Sequence, residues 1–139
     1  MPSEAKTVLI VDDEPDMREF VQVALEDDGY RFVTATDGAA ALALVAEEQP
    51  ALIVMDVQMP KKDGLTTLYD LRQDAAAKSI PVILLTGVSE KTGVRFTAES
   101  VEEYMGERPD AYFDKPVDPE VLRRAVGELI GRAADSAAS

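Results

Sequence analysis

Short apolar runs rich in β-branched residues alternate along the chain with segments whose apolar residues recur at helical spacing. TVLIV (7–11), FVTA (32–35), ALIVMDV (51–57), PVILLT (81–86) and AYF (111–113) have the length and composition of strands. Between them, DMREFVQVALEDDG places Phe20, Val21, Ala24 and Leu25 on one side and stops at Gly29. DGAAALALVAEEQP runs from a capping Asp37 into an alanine-rich helix closed by Pro50. LTTLYDLRQD is a shorter helix with Leu65, Leu68 and Leu71 together. DPEVLRRAVGELIGR starts with Asp118 as N-cap and Pro119 at the first helical position, then carries apolar pairs at 121/122, 125/126 and 129/130.

Strand–helix alternation of this kind predicts parallel strands, right-handed crossovers and helices on both faces, an α/β doubly wound sheet of five strands. One domain is expected over residues 1–132, with 133–139 a disordered tail of small polar residues. The interval from Gly87 to Asp110 breaks the rhythm, being longer than one loop and one helix need. It predicts an added loop over 89–98 and a short helix over 99–105, where SVEE has capping-box spacing. In doubly wound sheets ligands sit beyond the carboxyl ends of the strands, so the residues just after each strand carry the functional question.

Composition narrows the chemistry. The chain has 139 residues, 46% hydrophobic but only 6% aromatic, which fits a core of Val, Leu, Ile and Ala between buried parallel strands. Twenty-seven acidic residues against 14 basic ones give a net charge of -13, which argues against direct nucleic-acid binding or an anionic membrane surface. With neither cysteine nor histidine, the chain has no disulfide, no thiol or imidazole nucleophile and no His or Cys metal ligand. No apolar run approaches a membrane span, and the amino terminus has no basic region or cleavage signal, so a cytoplasmic protein is expected.

The strand ends supply Asp12 and Asp13 after the first strand, Asp56 at the end of the third, Thr86 at the end of the fourth and Lys115 after the fifth. Three carboxylates on one rim repel each other and persist most easily around a hard cation. An all-oxygen donor set suits Mg²⁺, with Mn²⁺ able to substitute. Such a cation brings a phosphoryl donor to the rim, where Asp56 could attack phosphorus and form an aspartyl phosphate. Lys115 would pair with the transferred oxygens, Thr86 would donate a hydrogen bond, and Gly87 would leave room for the group. Taken singly, each residue has a plainer reading. The acids before Pro15 could cap a helix, Thr86 could be an ordinary strand-end threonine, and Lys115 could be a solvated turn lysine. Their conjunction at separate strand ends favours one reaction.

VLIVDDEPDMREFV, LIVMDVQMPKKDGL, PVILLTG and AYFDKPV together resemble the CheY-like receiver domain of bacterial two-component response regulators, over nearly the whole chain. The resemblance implies a flavodoxin-like (βα)5 fold with strand order 2-1-3-4-5 and a phosphoacceptor at Asp56. It implies Asp13 as a direct Mg²⁺ ligand, Asp12 as the other acidic-pocket member acting through water, and the backbone carbonyl of Gln58 as the remaining protein ligand. It further implies Thr86 and Tyr112 as the switch pair, a cis peptide before Pro116, and Met59, Pro60 and Gly64 in the loop after the acceptor, with Gly64 easing a tight turn.

By the same resemblance the phosphoryl donor is a sensor histidine kinase or a phosphotransfer protein, and the output a protein partner. The chain is expected to act as a stand-alone receiver, monomeric or weakly dimeric, that assists its own phosphorylation without being an enzyme. The long 87–110 interval departs from the family pattern and puts the output surface in question. Four other readings compete. The first is a relay intermediate passing the phosphoryl group onward. The second, a Mg²⁺-dependent phosphatase of the haloacid dehalogenase type, needs an aspartate two residues after the nucleophile, where Gln58 stands. The third, a flavodoxin-like cofactor binder, lacks a Ser/Thr-rich phosphate loop after the first strand. The fourth is a pseudo-receiver that only docks partners.

Overall fold

The computed structural model describes residues 6–56, 64–74, 77–86, 110–114 and 117–138. The strands form where the apolar runs lie: β1 Thr7–Val11, β2 Arg31–Ala35, β3 Leu52–Asp56, β4 Val82–Thr86 and β5 Ala111–Asp114. They form one parallel sheet in the order β2-β1-β3-β4-β5. This is the doubly wound, flavodoxin-like topology expected from the sequence. Among the described residues four α-helices surround it: α1 Pro15–Leu25, α2 Gly38–Glu48, α3 Gly64–Gln73 and α4 Pro119–Ala138.

The period-2 alternation of strand side chains sorts the core into two layers. Leu9, Val11, Ile53, Met55, Val82 and Leu84 face Ala41 and Val45 of α2 and Leu68 and Leu71 of α3. Val8, Ile10, Leu52, Val54, Ile83 and Leu85 face Val21 and Leu25 of α1 and Leu122 and Val126 of α4. β3, the central strand, is buried throughout, including Asp56 at its carboxyl end.

Local chemistry fixes the helix ends. Asp37 caps α2 by accepting from the Ala40 N–H at 2.9 Å, and the helix ends as Gln49 turns left-handed (φ 47°) ahead of Pro50. Asp118 accepts from the N–H groups of Glu120 at 2.8 Å and Val121 at 3.3 Å at the start of α4. After α1 a 3-10 turn, Glu26–Asp28, leads to Gly29 at φ +76°, a conformation that costs glycine little.

Two differences from the sequence reading stand out. β2 begins one residue early, at Arg31, and α4 runs on to Ala138, so residues 133–138 lie in a helix where a disordered tail was expected. Four of those six residues are alanine, the best helix former, which extends a helix already docked through Leu122, Val126 and Leu129. The loop expected over 89–98 and the short helix over 99–105 lie outside the described residues. No helix among the described residues is long and apolar enough to cross a membrane.

At the amino-terminal edge of the sheet, Arg72 at the end of α3 donates to the carbonyls of Lys78 and Ile80 and to Asp110 Oδ2 at 2.7 Å. The same Asp110 oxygen accepts the Val82 N–H at 2.8 Å, tying the start of β4 to the residue that precedes β5.

Candidate functional site

The parallel register brings the strand ends to one rim. Val11 pairs with Met55, Asp56 with Leu85, and Thr86 with Asp114. Asp12 follows β1 directly and continues its ladder, donating its N–H to the Ala35 carbonyl at 3.1 Å. Asp12 and Asp56 are thereby held level on neighbouring strands, and both are almost completely buried, at 3% and 4% exposure. Asp13 stands beside them, open to solvent.

Oxygens from Asp12, Asp13 and Asp56 all lie within 4.8 Å of one another. At that separation two buried carboxylates repel by about 3.5 kcal/mol at an effective dielectric of about 20. This arrangement is costly by itself and favourable around a cation. The donor set fits a hard divalent ion, since all three groups are carboxylate oxygens and one faces the solvent from which a hydrated ion arrives. A softer metal would want nitrogen or sulfur ligands, and the chain has no histidine or cysteine to give.

The turn carrying the first two acids is held at three successive peptide planes. The Asp12 N–H is taken by Ala35, the Asp12 carbonyl accepts from Arg18 Nη1 at 2.8 Å, and the Glu14 N–H donates to Asp12 Oδ1 at 2.9 Å. Glu14 itself, the N-cap of α1, makes no side-chain capping bond. Asp12 therefore closes a tight turn of its own rather than capping the helix, which removes the plainer reading of that residue. The sequence reading passes over Arg18, whose role depends on the first turn of α1 folding back over the end of β1.

Of the other expected residues, Thr86 closes β4 with its backbone paired to Asp114. Tyr112 pairs with Leu84 and packs against the core layer under α2 and α3. Gly64 is the first residue of α3. Lys115, Gln58, Met59, Pro60, Gly87 and Pro116 lie outside the described residues; Lys115 follows Asp114, the partner of Thr86, directly in the chain.

Known proteins share this fold. Response regulator Rre1 of Synechocystis sp. is 36% identical over 131 residues, covering 94% of this chain and 54% of Rre1. The chain spans about half the length of the curated relatives it matches. The signal receiver domain of a signal transduction histidine kinase from Syntrophus aciditrophicus superposes with a TM-score of 0.77 at 30% identity, covering 91% of each chain. Chemotaxis response regulator CheY4 of Vibrio cholerae gives 0.75 at 27% identity, covering 91% of this chain and 99% of its own. The family described as "Response regulator receiver domain" matches residues 8–127, which takes in the five strands but for Thr7, together with the acidic rim, and the chain belongs to that family.

Proposed function

We propose that the domain accepts a phosphoryl group on Asp56 from the phosphohistidine of a sensor kinase or phosphotransfer protein, and signals by a conformational change that alters its protein contacts. One observation carries this reading: Asp56 ends a central strand that is buried throughout, with its carboxylate within 4.8 Å of those of Asp12 and Asp13. A structural aspartate gains nothing from such neighbours.

Asp12, Asp13 and Asp56, with the carbonyl of Gln58, would hold Mg²⁺. When bound, the ion supplies charge neutralisation and a template for the phosphoryl oxygens. An Asp56 carboxylate oxygen attacks phosphorus, the new O–P bond forming as the P–N bond to the donor imidazole breaks, and the electron pair leaves on that nitrogen. Lys115 pairs with the charge gained at Asp56, and the Thr86 hydroxyl donates to it. Moving a two-state equilibrium from 1:99 to 99:1 takes about 5.5 kcal/mol of differential contact, which two charge-assisted bonds in a partly dry site are able to supply. Tyr112, paired with Leu84 and two residues upstream of Asp114, would follow Thr86.

On this reading the domain is a cytoplasmic phosphoacceptor that assists its own chemistry, with no released product. A second reading, onward transfer in a relay, draws on the likeness to a receiver that belongs to a histidine kinase. The direct test is incubation with Mg²⁺ and acetyl phosphate followed by intact mass. Gain of one base-labile phosphoryl group, absent from Asp56→Asn and in EDTA, is expected. No gain with folded, Mg²⁺-bound protein, from acetyl phosphate or from a phosphorylated kinase, would overturn the phosphoacceptor role.

A further inference from the structure

We infer that Arg18 is a positioning residue that sets the direction of the Asp12–Asp13 acid pair for cation binding; the inference rests on the metal-site reading above. Asp13 is joined to its neighbours by two peptide units, each a rigid plane, so a hydrogen bond at one atom of a unit restricts the rotation of the whole plane. The unit after Asp13 is held by the Glu14 N–H bond to the Asp12 carboxylate, and the unit before it by the Arg18 bond to the Asp12 carbonyl. With both planes held, the backbone of Asp13 stays where its exposed carboxylate lies within 4.8 Å of those of Asp12 and Asp56. Removing Arg18 frees one plane and leaves the other.

The place of Arg18 in the sequence supports a role beyond helix formation. It is the fourth residue of α1, where the partial positive charge of a helix amino terminus disfavours a cation. It is half-buried, and its guanidinium donates to the acidic turn rather than to an acidic side chain of its own helix. A local rule broken at a site edge is the pattern expected of a residue kept for the site.

Charge and position predict opposite results, which makes the assignment testable. A guanidinium near a cation site opposes binding by charge alone, so losing it would tighten binding. Losing the orientation of Asp13 would weaken it, and partners that orient metal ligands are typically worth about 10- to 100-fold in affinity.

Arg18→Met and Arg18→Gln remove the same charge, and only glutamine keeps an N–H donor. Mg²⁺ would be titrated calorimetrically into the unphosphorylated full chain, with Asp13→Asn setting the signal of a broken site and thermal unfolding confirming the fold of each variant. The expected result is a dissociation constant raised about 10-fold in Arg18→Met, with Arg18→Gln between it and the wild type. Unchanged or tighter binding in both would overturn the assignment while leaving the metal site standing. If Arg18→Met does not fold, weaker binding by Arg18→Gln than by the wild type upholds the assignment, and equal or tighter binding overturns it. A wild type that binds no Mg²⁺ overturns the metal-site reading and this inference with it.

Discussion

Asp12 and Asp56 sit level on adjacent parallel strands and bring two buried carboxylates within 4.8 Å of each other at the carboxyl edge of the sheet. Like charges this close oppose folding. Asp56→Asn, nearly isosteric and neutral, should raise the stability of the metal-free domain by about 1–2 kcal/mol, part of the roughly 3.5 kcal/mol repulsion being relieved. Mg²⁺ at ten times its dissociation constant should add about 1.4 kcal/mol to the wild type and little to the variant, closing the gap. Urea unfolding of both proteins with and without Mg²⁺ checks this. An apo variant less stable than the wild type would count against strain in the cluster.

A second carboxylate does structural work at the opposite edge. Asp110 Oδ2 accepts from both Arg72 and the N–H of Val82, which is fully buried. Asp110→Ala strands that N–H and cuts the tie between α3 and the start of β5, so a loss of about 2 kcal/mol is expected. Asp110→Asn keeps a carbonyl acceptor for Val82 and should lose about half as much. Equal losses in the two variants would mean that the ion pair, and not the buried N–H, carries the cost.

Asp37 is buried and caps α2 at 2.9 Å. Asp37→Ala should cost about 1 kcal/mol, and Asp37→Asn a few tenths, because the amide oxygen still accepts from Ala40. Chemical denaturation midpoints at constant slope distinguish the two. Neither change should alter Mg²⁺ affinity, since Asp37 makes no part of the acidic cluster.

These residues also show what can be read from a sequence and what cannot. Asp37 and Asp118 were legible as caps, and the strands as apolar runs, because both depend on neighbours a few positions away. The rim of Asp12, Asp13 and Asp56 was legible for a different reason: a parallel α/β sheet puts all its carboxyl ends on one side, so position after a strand became position in space. Arg18 was not legible, since a lysine or arginine early in a helix has no local signature pointing back to the strand before it. The helical run over 133–138 is not legible, since a stretch of small residues suits a tail equally well and only the docked residues upstream let alanine propensity continue the helix.

Arg123 of α4 forks onto Asp28 after α1, with its Nε and Nη2 within 3.1 Å of the carboxylate oxygens. The hydrogen bonds from Arg123 hold the Asp28 carboxyl below its ordinary value of 3.8. A carboxylate with a lowered folded-state pKa stabilises the fold above its unfolded value, and that contribution fades as pH falls through the lowered one. Arg123→Met should therefore be slightly less stable than the wild type at pH 7, and the difference should vanish in acid below the folded-state value. The effect should also shrink in high salt, as it does for a pair near the surface. Urea midpoints of both proteins from pH 7 down to the acid transition make the comparison. A difference that stays constant across that range would assign the contact to packing of the arginine stem against α1 rather than to its charge.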